Sequence, residues 1–197
     1  MRRLLDAGAE VFARRGYHSA RVDDIVKTAK TSHGTFYLYF ANKEELFQAL
    51  AMEVAEQMTG LAESLGRLTP DEAGYRELRD WLSRFSEIYD QCSPVISAWT
   101  EAETDTSEVG RIGADLLGGF AVTLAERIRA SQVDDLHAGV ASIAIVAMVE
   151  RFHYYAHSGV VQADRDAVLD TLARVTHAGL FGHGHLAEAG NARAANG

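Results

Sequence analysis

The feature that most limits the fold of this chain is the helical spacing of its apolar residues. Near the amino terminus, Leu4, Leu5, Val11 and Phe12 form one stripe, and similar stripes recur along the rest of the sequence. Only two prolines occur in 197 residues, and the alternating β-branched pattern of strands is hard to find. We therefore predict an all-α protein that is large enough to bury a real core.

Cysteine content and hydropathy indicate where such a chain would work. The single cysteine excludes an internal disulfide and fits a reducing compartment. The longest apolar run, residues 139–149, is too short to cross a bilayer, and the first residues lead into an amphipathic helix rather than a signal peptide. These features predict a cytoplasmic protein with no membrane partner.

The charge is divided unevenly along the chain. The net charge is −9, yet residues 1–47 carry eight Lys/Arg against six Asp/Glu, while the remainder carries eleven against twenty-two. An acidic body repels nucleic acid, whereas a mildly basic amino-terminal segment can approach it. This asymmetry permits DNA binding at the amino-terminal end.

The first 47 residues predict three short helices and the start of a fourth. The first ends at Gly16, a residue suited to the position after a helix, and the third begins near Ser32 after a tight turn at Lys30. Asn42 is placed to cap the fourth helix, with Glu45 in capping-box register. Three helices with a short turn between the second and third predict a helix-turn-helix.

Aromatic residues are crowded on the third predicted helix. Phe36 and Phe40 have i, i+4 spacing and are expected to be buried, which leaves Tyr37 and Tyr39 pointing outward. Gly34 costs a helix about 1 kcal/mol relative to alanine. That cost is understandable if a phosphate backbone or a base edge approaches the helix there.

Residues Gly16 to Leu46, "GYHSARVDDIVKTAKTSHGTFYLYFANKEEL", resemble the DNA-binding signature of the TetR/AcrR family of transcriptional regulators. The matching positions are Gly16, Tyr17, Val22, Ile25, Ala29, Gly34, Phe36, Tyr37, Tyr39, Phe40, Asn42, Lys43, Glu44 and Leu46. The family usually has Ser or Thr at the position of Arg21, Gly at Lys30 and Val at Thr31. These departures leave the resemblance standing but make the operator sequence unpredictable.

The resemblance implies a homodimeric, ligand-responsive transcriptional repressor that binds a near-palindromic operator in double-stranded DNA without a cofactor. It places Ser32, His33 and Thr35 in the groove, with Gly34 allowing a close approach. The residues expected on phosphates are Arg21, Tyr37, Tyr39 and Lys43. Reversing the charge of Lys43 is then expected to weaken binding to all DNA sequences alike.

Residues 48–182 are predicted to form a helical effector-binding and dimerisation domain, and residues 183–197 a disordered tail. After a fourth helix that runs past Met58, we predict helices from about Asp71 to Asp90, from Ser93 onward, and over about 108–130, 134–158 and 164–181. By resemblance, the last two pair with their mates in a dimer. Eight large side chains are candidates to line a pocket for a small, largely apolar or aromatic ligand: Trp81, Phe85, Tyr89, Trp99, Phe120, Met148, Phe152 and Tyr155.

Two other functions are compatible with the sequence. A small all-α enzyme with a structural amino-terminal unit is one, although no nucleophile–base pair is legible. A DNA-binding regulator with no small-molecule effector is the other. Glu150, His153 and His157 are three possible metal ligands on one helical face, but a metal site would need a fourth group from another helix, so we predict no metal.

Overall fold

The computed structural model describes residues 1–102, 108–133, 136–157, 159–160 and 162–182, without the side chains of 94, 97–102, 108–114, 116–117 and 157. Eight α-helices and no strand occur among these residues, and the prediction of an all-α protein is confirmed. The helices are α1 (Arg2–Arg15), α2 (Val22–Thr28), α3 (His33–Tyr39), α4 (Lys43–Glu63), α5 (Glu72–Ala102), α6 (Glu108–Ala130), α7 (Ala138–His157) and α8 (Arg165–Phe181). The predicted tail, residues 183–197, lies outside the described residues.

The chain divides into two compact units. The first comprises Met1–Met58 and Tyr89–Gly118, and the second comprises Thr59–Ile88 and the described residues from Gly119 onward. The sequence suggests a boundary after residue 47, between a DNA-binding domain and an effector-binding domain. This boundary separates two functions, and it stays a prediction.

In the first unit, α1 packs against the start of α4 through aromatic rings. The ring centroids of Phe12 and Phe47 lie 5.5 Å apart, and that of Tyr17 lies 5.0 Å from Phe47. Gly8 faces Leu46 so closely that a Cβ at Gly8 would collide with the leucine side chain. Any larger residue at position 8 would therefore force the buried Leu46 side chain to shift at this crossing of two helices.

The ends of the short helices follow the predicted caps. Gly16 ends α1 with a φ of 72°, which glycine adopts without strain. The Asn42 side chain accepts from the amide of Glu45 at 2.8 Å, while the Glu45 carboxylate accepts from the amide of Ala41. The predicted cap of α4 is confirmed, with the carboxylate reaching one residue further back than in the usual capping box.

The prediction of two helices between Asp71 and Ala102 is wrong, because α5 continues through Pro94 as one helix of 31 residues. Proline has no amide hydrogen to donate to the carbonyl of Asp90, four residues earlier. The hydroxyl of Ser93 donates to that carbonyl instead, at 3.0 Å. The side chain before the proline thus replaces the missing backbone bond.

In the second unit, α5 contacts α6 through aromatic stacking and α8 through ion pairs. The rings of Trp81 and Phe120 are stacked, with centroids 6.1 Å apart. Arg79 donates to Asp170 and, at 3.0 Å, to Asp166. Asp164 caps α8 by accepting from the amide of Ala167 at 2.8 Å. No helix among the described residues is both long and apolar enough to cross a membrane.

Candidate nucleic-acid interface

The turn between α2 and α3 is a Schellman motif. The amide of Thr31 donates to the carbonyl of Val26 at 2.9 Å, and that of Lys30 donates to Lys27 at 3.2 Å. Lys30 occupies the left-handed position of this motif, with a φ of 51°. A position that favours glycine is therefore held by a lysine, whose side chain is exposed.

The third helix is fixed at its start by Ser32 and along one side by two rings. The Ser32 side chain accepts from the amide of Thr35 at 3.1 Å, so the helix begins at His33 rather than at Ser32. Phe36 is fully buried and Phe40 is 4% exposed, which confirms the predicted buried pair. The rest of α3 is free to face outward.

Three consecutive large side chains are exposed on α3. Tyr37 is 57% exposed and Tyr39 is 44% exposed, as the sequence predicts. Leu38, which sequence reasoning missed, is 76% exposed. Its place between two outward tyrosines was the available signal. At Gly34, a Cβ would meet only the Ser32 hydroxyl within 4 Å, at 3.7 Å, so the helix surface there is open.

Three of the predicted groove residues have partners within the protein. His33 Nε2 lies 2.5 Å from a carboxylate oxygen of Asp23 on α2. The hydroxyls of Ser32 and Thr35 lie 3.0 Å apart, and Thr35 is half-buried. These contacts orient the side chains at the amino end of α3, and their contact with DNA stays a prediction.

Lys43 is engaged in a way that the sequence did not suggest. Its ammonium donates to the carbonyls of Tyr17 (2.9 Å), His18 (3.2 Å) and Ala20 (3.2 Å). It also lies 4.7 Å from the centroid of the Tyr17 ring. Since Lys43 ties the α1–α2 loop to the start of α4, its geometry favours a structural role over the predicted phosphate contact.

Arg21 occupies the N-cap position of α2 and makes no side-chain cap bond. It borders an open, polar depression of about 550 Å³ on the surface of the first unit. The depression is also lined by Arg15, His18, Ser19, Asp23 and Asp24. Arg15 is paired with Asp24 at 3.2 Å, whereas Arg21 is exposed and suited to meeting a phosphate.

The predicted pocket residues are distributed across both units. Trp81, Phe85 and Phe120 are buried together in the second unit, and the Trp81 indole donates to the carbonyl of Leu61 at 2.8 Å. The positions of the remaining candidates are these: Met148 and Phe152 are half-buried, Tyr155 is exposed, Tyr89 is buried in the first unit, and the side chain of Trp99 lies outside the described residues. Whether any of them contacts a ligand stays a prediction.

The metal candidates are not brought together in the described part of the chain. His153 is 4% exposed, and its Nδ1–H donates to the carbonyl of Val149 at 2.7 Å. The side chain of His157 lies outside the described residues. Among the side chains that the structure describes, no group of three or more His, Cys, Asp or Glu is arranged to hold a metal ion.

Comparison with known proteins identifies the amino-terminal module. Residues 4–50 match the family profile described as "Bacterial regulatory proteins, tetR family". The chain is 44% identical over 64 residues to the uncharacterized HTH-type transcriptional regulator YdgC of Bacillus subtilis (strain 168), which covers 32% of this chain and 33% of that protein. It is 32% identical over 118 residues to the HTH-type transcriptional repressor AcnR of Corynebacterium efficiens, covering 55% and 61%. The matches thus span less than two thirds of either relative.

The fold of the described chain is shared with solved structures. The fatty acid degradation regulator FadR from Bacillus halodurans superposes with a TM-score of 0.70 at 20% identity, covering 91% of this chain and 98% of that one. At that identity the likeness shows a common fold. Together with the helix-turn-helix geometry, the profile match identifies residues 4–50 as a helix-turn-helix module of the kind found in the tetR family of bacterial regulatory proteins.

Proposed function

We propose that this protein is a DNA-binding transcriptional regulator of the cytoplasm, acting as a homodimeric repressor. The proposal rests on the burial pattern of α3. Phe36 and Phe40 anchor one face of this helix in the core, and the opposite face is exposed. Ser32, His33 and Thr35, beside the open surface at Gly34, would enter the major groove. The tyrosine hydroxyls of α3 and the guanidinium of Arg21 would meet phosphates.

Exposed apolar residues on α7 and α8 support dimerisation through these helices. On α7, Val140 is 64% exposed, Ile143 is 63% exposed and Tyr154 is 47% exposed, and on α8 Val175 is 53% exposed. The α7 residues recur at spacings that keep them on one side of the helix. In a two-fold dimer, two copies of α3 about 34–36 Å apart would read successive major grooves of a near-palindrome.

A small, largely apolar or aromatic ligand would release the repressor from its operator. The aromatic residues of the second unit, with half-buried Met148 and Phe152 beside the buried His153 on α7, are a suitable lining for such a ligand. Binding would favour a dimer whose two α3 helices are wrongly spaced for DNA. A coupling of about 1–3 kcal/mol changes DNA affinity about 5- to 150-fold.

The experiment is selection of bound sequences from random duplex DNA at two salt concentrations, followed by measurement of the stoichiometry. The proposal predicts a near-palindromic sequence bound by a dimer, with affinity that falls as salt rises. If no sequence is enriched, the proposal that α3 recognises DNA is refuted.

A pair of matched variants tests the dimer surface separately. Ile143→Glu places a charge in the exposed stripe of α7, whereas Val122→Glu places one at an equally exposed valine, 61%, on α6. The proposal predicts that only Ile143→Glu yields monomers in analytical ultracentrifugation. If both variants remain dimeric, the dimer interface does not include the exposed stripe of α7.

A further inference from the structure

The position of Leu38 around α3 singles it out. An α-helix turns about 100° per residue, so Leu38 lies about 180° from the midpoint of Phe36 and Phe40. Those two rings point into the core, and Leu38 therefore stands on the outermost line of the helix. Tyr37 and Tyr39 project to either side of that line.

The surface around Leu38 is shaped for close approach. Gly34 is four residues earlier on the same face, and side chains in a helix lean back toward the preceding turn. Next to Leu38 on this face, α3 therefore carries no side chain at Gly34, where a Cβ would meet only the Ser32 hydroxyl within 4 Å. A single exposed leucine needs no special explanation on most surfaces. On the helix that reads DNA it is placed where base edges come nearest.

We propose that Leu38 is a specificity-determining residue that contacts the 5-methyl group of a thymine in the major groove. The proposal rests on the DNA-binding function proposed above. Thymine is the base that presents an apolar group in that groove, and a leucine side chain offers nothing to hydrogen-bonding edges. The flanking tyrosines suit the phosphates on the two walls of the groove, so α3 divides its contacts between positioning and reading.

The test replaces single thymines by uracils in the operator obtained by selection. Uracil differs from thymine by the methyl group alone, so each replacement removes only the contact in question. One thymine in each half-site should show a loss of about fourfold in affinity of the wild-type protein, the amount expected for exposing one buried methyl group. With Leu38→Ala, the same replacement should change affinity by less than about 1.5-fold, since the ~0.8 kcal/mol of that methyl contact is already lost.

Met52→Ala is the matched control, because Met52 is an apolar side chain on α4 with 62% exposure. It should keep the wild-type preference for thymine over uracil. An operator without a sensitive thymine, or a Leu38→Ala protein that keeps the preference, would overturn the role of Leu38 while leaving the proposed function standing. Failure of the wild-type protein to select any sequence would overturn both.

Discussion

Lys30→Gly should stabilise the protein, because Lys30 holds a left-handed backbone conformation at the end of α2. A residue with a Cβ loses about 1–2 kcal/mol in that conformation, and glycine does not. Glycine also makes the unfolded chain more flexible, and this lowers the free energy of unfolding by about 0.5–1 kcal/mol. The net gain in the free energy of unfolding is therefore about 0.75 kcal/mol, within a range of about 0–1.5 kcal/mol.

Urea unfolding followed by circular dichroism measures this gain as a higher midpoint with an unchanged slope. Gln132→Gly is the internal control, since Gln132 has a φ of 54° after α6 and lies in the second unit. Lys30→Gly should gain more stability than Gln132→Gly, because the latter also removes the hydrogen bond that the Gln132 side chain accepts from Arg67 at 2.6 Å. A loss at Lys30 together with a gain at Gln132 would refute the backbone argument and show that the lysine side chain itself stabilises the turn.

The same variant separates stability from DNA affinity. If the Lys30 ammonium meets a phosphate, Lys30→Gly should reduce the slope of log affinity against log salt by about 0.9 per protomer, and so by about 1.8 for a bound dimer. Lys30→Asn removes the same charge but retains a residue that tolerates the left-handed conformation. Both variants should therefore reduce the slope by the same amount, whereas an unchanged slope in both would show that Lys30 does not contact a phosphate.

Three further variants test other parts of the structure. Gly34→Ala should raise the free energy of unfolding by up to about 1 kcal/mol, because a Cβ fits there, but should weaken operator binding in a gel-shift titration. Lys43→Met should lower the free energy of unfolding by about 1.5–3 kcal/mol and leave the salt dependence of DNA binding unchanged. A smaller salt dependence would instead support the predicted contact between Lys43 and a phosphate. The hydrogen bond from Arg79 lowers the pKa of Asp170, so it stabilises the fold at neutral pH and is lost as pH falls through that lowered value. Asp170→Asn should accordingly unfold more easily at pH 7 and lose less stability than wild type below about pH 4.

The local signals in the sequence predicted the amino-terminal module well. Apolar spacing and caps are properties of neighbouring residues, so the buried pair Phe36 and Phe40 and the cap at Asn42 were legible. The role of Lys43 could not be predicted from its neighbours, because its three carbonyl partners lie 23 to 26 residues earlier in the chain. The unbroken α5 was missed because a proline ordinarily ends a helix, and the compensating bond comes from the Ser93 side chain.

The contacts of Lys43 also set where this protein can be cut and rejoined. Exchanging amino-terminal modules between relatives is a direct way to build regulators that pair one effector with another operator. A junction placed before α4 would separate Lys43 from the Tyr17–Ala20 carbonyls, and Leu46 from the glycine against which it packs. A working chimera must therefore keep the first two turns of α4 with the helices that precede them, which moves the junction beyond Leu50.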